Sequence, residues 1–70
     1  MRYLVIIEQS DTGYAAFSPD LDGCVATGTS IEEVEATMRD AVAFHIDGLK
    51  ESGAEVPRPK AYVTYVEVAA

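Results

Sequence analysis

Ser18-Pro-Asp-Leu-Asp-Gly-Cys-Val-Ala-Thr-Gly-Thr-Ser30 sets a turn, a short strand and a helix start end to end. Aspartates at 20 and 22 are turn residues because their carboxylates bond nearby backbone amides, and Gly23 supplies a permissive dihedral before a strand. Cys24–Gly28 is then long enough for one short strand. Ser30, with Glu33 three positions on, is the signature of a capping box. Two aspartates, the only cysteine and two glycines in thirteen residues also raise the question of a catalytic or metal site.

Downstream of Ser30 the pattern is helical. Ile31, Val34, Met38, Ala41, Val42, His45 and Leu49 recur at the spacing of one helix face. Glu32, Glu33 and Glu35 load the first turn with the negative charge that the helix dipole favours there. Gly53 is placed to end the helix, and Pro57 and Pro59 prevent its resumption.

Upstream, Tyr3–Ile7 is β-branched and apolar at both parities, the mark of a strand covered on both faces and therefore central in its sheet. "EQSDTG" supplies turn chemistry, and Tyr14–Phe17 is expected to return as the second strand of a hairpin. After "PRPK", Ala61–Glu67 alternates as a last strand. The order β-β-β-α-β predicts an α+β fold. A right-handed crossover would set the last strand parallel to the first, giving strand order 3-2-1-4 with the helix on one face. One helix covers one face only, so either Tyr3, Val5 and Ile7 or Leu4 and Ile6 need cover from a second copy or a partner.

Seventy residues hold one domain, expected to span 1–70, and 49% of them are apolar. A chain this short buries only about 60% of its unfolded surface, which together with that apolar content favours self-association. Twelve acids against five bases give a net charge of −7, with Arg2, Arg39, Lys50, Arg58 and Lys60 scattered along the chain. Phosphate binding needs clustered positive charge, so direct nucleic acid binding is not expected, and a basic protein is the natural complement. The apolar stretch in "MRYLVII" is too short for a signal peptide or a membrane span, which makes the cytoplasm the default compartment.

Pro19-Asp20-Leu21, Gly23-Cys24, Gly28, Ser30-Ile31-Glu32-Glu33, Ala41, His45 and the segment "ESGAEVPRPK" come in an order that resembles the HicB-like antitoxin family, from about Arg2 to Val66. Asp22 departs from it, standing where proline is common. The resemblance implies a truncated ribonuclease-H-like fold and a role as the neutralising half of a toxin–antitoxin pair. It further implies a partner toxin, HicA-like, that is a small basic ribonuclease cleaving messenger RNA and is blocked when its active surface is covered. Many members add a C-terminal operator-binding domain. None is expected here, as Ala70 follows the last strand by three residues.

An enzymatic reading finds little to work with. Two-metal nucleases need converging carboxylates, and the first strand offers only Glu8, at its end, with Asp40 and Glu67 on other elements. Cys24 as a nucleophile would need His45, the only histidine, as its base. A small thiol under the helix and a half-buried histidine bonded to backbone account for both residues. No catalytic, cofactor or metal residue is assigned, and no cofactor is implied. Asp11, Asp20 and Asp22 are the candidate contacts to a basic toxin. Tyr3, Val5, Ile7, Tyr62 and Tyr65 are the candidate subunit interface of a homo-oligomer, dimer or tetramer, since tyrosine is enriched at interfaces. The alternative function is a stand-alone homo-oligomer of the same fold that binds a small ligand between subunits.

Overall fold

β1 (Ile6–Ser10), β2 (Gly13–Ser18) and β3 (Leu21–Gly28) form an antiparallel meander followed by a single helix, α1 (Ile31–Glu51), in a computed structural model that describes residues 1–70. The α+β class and the order β-β-β-α are as expected. The sheet, however, has three strands in the order β1-β2-β3. The expected fourth strand, Ala61–Glu67, pairs with nothing in this chain, so β2 is central and β1 is an edge.

The first ladder runs from Ile6 opposite Phe17 to Ser10 opposite Gly13. Tyr3–Val5, expected inside the first strand, lie outside it. The register that sets Ile6 opposite Phe17 puts Val5 opposite Ser18, the last residue of β2, and Leu4 and Tyr3 opposite the Pro19–Asp20 turn, where the ladder has ended; no fourth strand is hydrogen-bonded on the other side. β3 starts earlier than expected, at Leu21, because the β2–β3 connection is only that two-residue turn. Phe17 faces Val25 while Ser18 faces Leu21, which leaves Asp22, Gly23 and Cys24 as extra residues in a bulge. Gly23 takes a φ of 76° there, a conformation that costs an L side chain roughly 1–2 kcal/mol.

Helix capping is local and follows the sequence. Ser30 Oγ accepts the Glu33 amide at 3.1 Å. The Glu33 carboxylate does not return to Ser30 but reaches one residue further back, accepting both the Thr29 amide and the Thr29 hydroxyl at 3.1 Å. At the other end Ala54 N–H donates to Leu49 O at 2.9 Å and Gly53 N–H to Lys50 O at 3.2 Å, with Gly53 at φ 75°. These are the two bonds of a Schellman motif.

The inner sheet row Ile7–Ala16–Ala26 faces the helix, and the next row, Ile6–Phe17–Val25, faces away. Ala16, Leu21, Cys24, Ala26, Val34 and Met38 make up the buried apolar core. Three of those six are alanine or cysteine, so the core is small for so apolar a chain, and much of the remaining apolar surface is outside. α1 has 21 residues and is about 31 Å long, against about 17–20 Å for the strands of the β1–β2 hairpin. Only Val34 and Met38 in its first half are fully buried, while Ala41, Val42 and Ile46 are half-buried where the helix outruns the sheet. The radius of gyration, 13.8 Å, exceeds the roughly 11 Å of a compact chain this long, and the molecule measures 48 × 26 × 16 Å, with residues 61–70 forming a largely exposed C-terminal arm.

Candidate interaction surface

Asp11, Asp20 and Asp22, the candidate contacts to a basic partner, divide between the two ends of the meander. Asp11 sits in the β1–β2 turn, while Asp20 and Asp22 lie at the opposite end of β2, six residues or about 20 Å away. Asp11 and Asp22 are exposed. Asp20 is half-buried and structurally engaged, its Oδ2 accepting the Ala61 amide at 3.2 Å. That bond is a turn aspartate's usual chemistry directed at a distant amide, and no local pattern signals it.

Exposed acids also lie on α1, at Glu32, Glu35, Asp40, Asp47 and Glu51, against Arg39 and Lys50. The Arg39–Glu35 pair is long, at 3.5 Å, and solvent-exposed at both ends, so it neutralises little. The acidity read from composition is therefore concentrated on the helix, where the sequence suggested only first-turn dipole matching.

Tyr3, Val5 and Ile7 face the helix and pack against the core, still half exposed. With Met1, Met38, Val42, Glu35 and Arg39 they line an open groove of about 310 Å³ between the free edge of β1 and α1. Tyr62 and Tyr65 stand out on the arm, 87% and 91% exposed. The opposite sheet face carries a second apolar patch, with Phe17 and the 66%-exposed Val25 in register with Ile6. The outward position of Phe17 and Val25 follows from the register, which the sequence does not specify.

Two hydrogen bonds tether the chain after the helix. The Tyr3 hydroxyl donates to the Pro57 carbonyl at 2.6 Å, and Ala61 is held by Asp20. From there the arm runs in parallel beside the segment that leads into β1. Ala61–Val63 share a groove with Arg2–Val5, and Tyr62–Tyr65 share the next with Leu4–Ile6. No backbone hydrogen bond joins the two segments.

Cys24 is free and buried, and burial raises its thiol above the ordinary pKa, opposite to the shift that activates a nucleophile. His45 is half-buried on α1 but its side chain makes no hydrogen bond, contrary to the expected backbone contact. Glu8, Asp40 and Glu67 are exposed on three separate elements, and no three His, Cys, Asp or Glu side chains converge as metal ligands would. No helix is long and apolar enough to cross a membrane.

A meander of three strands, a capped helix and a bulge at the Gly-Cys pair are the features to set beside known proteins. The model of the HicB-like antitoxin of bacterial toxin–antitoxin systems matches residues 3–69. The chain belongs to the HicB-like antitoxin family.

Within that family, the chain is 36% identical over 59 residues to Antitoxin HicB 2 of Photorhabdus laumondii, covering 84% of this chain and 42% of that one. A 14.9 kDa protein from the rep-hol intergenic region of Haemophilus phage HP1 is 32% identical over 94% of this chain, which spans half of the phage protein. A UPF0150 protein of Thermoplasma acidophilum, also 32% identical, is matched over 90% of its length. The chain thus spans half or less of the phage and Photorhabdus proteins and most of the Thermoplasma one. A chain of the solved HicA3 and HicB3 toxin–antitoxin complex superposes with a TM-score of 0.72 at 30% identity, over 84% of this chain and 70% of that one.

Proposed function

We infer that this chain is the antitoxin of a toxin–antitoxin pair, binding a small, basic, mRNA-cleaving HicA-like toxin and covering its active surface. The observation that carries the reading is the likeness to a chain of the HicA3 and HicB3 complex, on a family match that spans 3–69. Charge supports it. The −7 net charge and the exposed acids of α1 suit the cationic surface a toxin needs to hold RNA. In this reading Asp11 and Asp22 are free to pair with toxin lysines or arginines, while Asp20 contributes its field from a tethered position. The chain acts by occlusion and contributes no catalytic group. It works as a homo-oligomer in the cytoplasm, on a ribonuclease-H-like plan in which Ala61–Glu67 is the missing fourth strand beside β1.

The test is purification of the C-terminally tagged chain from its own cells at low salt, followed by an RNA-cleavage assay on whatever co-purifies. A stoichiometric small basic protein is expected, with ribonuclease activity that returns when the antitoxin is removed. Its association should slow as salt rises, because charge steers the encounter. Repeated recovery of the chain with no such protein would sink the reading and favour a stand-alone, ligand-binding homo-oligomer.

A further inference from the structure

The sheet has two apolar faces and only one helix to cover them. An antiparallel sheet that meets water on one side alternates apolar residues inward with polar ones outward. Here that alternation fails in the middle of the sheet. Ile7–Ala16–Ala26 lies under α1, and the row beside it, Ile6–Phe17–Val25, is just as apolar and points the other way. Phe17 is 37% exposed and Val25 66%, and the C-terminal arm stays at the sheet edge beside Leu4–Ile6. This chain leaves the outward face open.

Size and charge indicate what would cover it. Three strands spaced about 4.8 Å apart put the outer two about 10 Å from each other, the width of one helix. α1 occupies that width on the inner face, and the outer face has room for one helix more. Charge then sorts the helices that could come. β1–β3 with their turns, Ile6–Gly28, carry four acids, Glu8, Asp11, Asp20 and Asp22, and no lysine or arginine. Glu8 stands on the outward face itself, in the row next to Phe17, with Ala15 and Thr27. A second copy's α1, with six acids against two bases, would be repelled there. A helix with lysine or arginine flanking an apolar stripe matches both the centre of the face and its rim.

We propose that the outward face of β1–β3 receives one basic amphipathic helix of the toxin, its apolar stripe seated on Ile6, Phe17 and Val25 and its cations directed to Glu8 and Asp22. The inference rests on the antitoxin reading for the identity of the partner, and adds to it the face that docks and the element that docks there. An apolar centre inside a charged rim is the common anatomy of a protein interface, and Phe17 supplies the aromatic anchor. The sheet is then covered by a helix on each side, two layers becoming three.

The experiment titrates the co-purifying ribonuclease, once released from the complex, with the parent chain and with variants. Val25→Lys puts a cation at the centre of the face, and Phe44→Lys puts one on α1, where Phe44 is 81% exposed. The dissociation constant should rise about 30-fold or more for Val25→Lys, as for loss of one central anchor, and change less than about threefold for Phe44→Lys. Val25→Thr keeps a β-branched residue that suits a strand, so it tests the face even where lysine disturbs the fold, and it should weaken binding severalfold. Hydrogen exchange in the ribonuclease should slow along one helix on binding. Parent-like binding by both Val25 variants, a larger loss from Phe44→Lys, or slowing confined to a strand would each overturn the proposal and leave the antitoxin reading standing. A dimer of the chain alone that Val25→Lys dissociates would overturn it as well, giving the face to a second copy. Recovery of no basic protein would remove the antitoxin reading, and this inference with it.

Discussion

Asp20 and Ala61 are 41 residues apart in sequence and joined by one hydrogen bond, carboxylate to amide, at 3.2 Å. The bond ties the base of the C-terminal arm to the turn that starts β3. Asp20→Ala should therefore leave the three-stranded ladder intact and free the arm's root. A stability loss of about 0.5–1.5 kcal/mol is expected, with faster hydrogen exchange at the Ala61 amide. Unchanged protection at that amide would show that the tether does not form in solution.

Cys24 makes stability depend on alkaline pH. Burial lifts its pKa in the folded chain above the ordinary value of 9.0, so as pH rises the unfolded chain gives up its proton first. The contribution is fully present below 9.0 and is lost as pH climbs from there through the folded pKa, by at most about 1.4 kcal/mol per pH unit. Urea unfolding between pH 8 and 10.5 should show a steeper decline for the native chain than for Cys24→Ala. Parallel declines would mean the thiolate is as well solvated folded as unfolded.

Gly13 lies so close to β3 that a Cβ there would run into the carbonyl oxygen of Gly28. Backbone cannot swing aside as a side-chain tip can, and the overpacking in Gly13→Ala should cost about 1–3 kcal/mol. Urea midpoints of Gly13→Ala and Gly48→Ala make the comparison, because a Cβ at Gly48 meets nothing and the helix gains from alanine there by about 1 kcal/mol. The prediction fails if both variants move in the same direction.

Ser18 carries the one buried side-chain oxygen without a hydrogen-bond partner, beside the register jump into β3. Desolvating an unpaired hydroxyl is unfavourable, so Ser18→Ala should be neutral or stabilising by up to about 1 kcal/mol. A thermal melt that drops by several degrees would mean the hydroxyl is satisfied in solution.

What could be read from the sequence divides by the range of the interaction involved. Ser30, Glu33 and Gly53 announce both ends of α1 because capping is settled within a few residues of chain. The β1–β2 hairpin is legible from its turn for the same reason. Tyr3–Val5 look like strand, but a strand needs a partner backbone, and β2 ends opposite Val5, leaving Tyr3 and Leu4 beside a turn. Ala61–Glu67 has strand composition and no ladder for that same reason. Asp11 lies at one end of the sheet and Asp20 and Asp22 at the other, since successive turns of a meander alternate between its two ends. The outward patch of Phe17 and Val25 has no signal in composition, because the bulge sets which parity of β3 faces outward.

Every strand pair in the sheet joins neighbours in sequence, and the helix follows directly on the last of them. A body assembled from such short-range pieces searches little conformational space, and it should fold faster than an all-β domain of its size. The arm adds no ladder to that body and meets it through the Asp20–Ala61 bond. Stopped-flow refolding should accordingly show a fast phase indifferent to protein concentration, and deleting residues 61–70 should leave its rate unchanged.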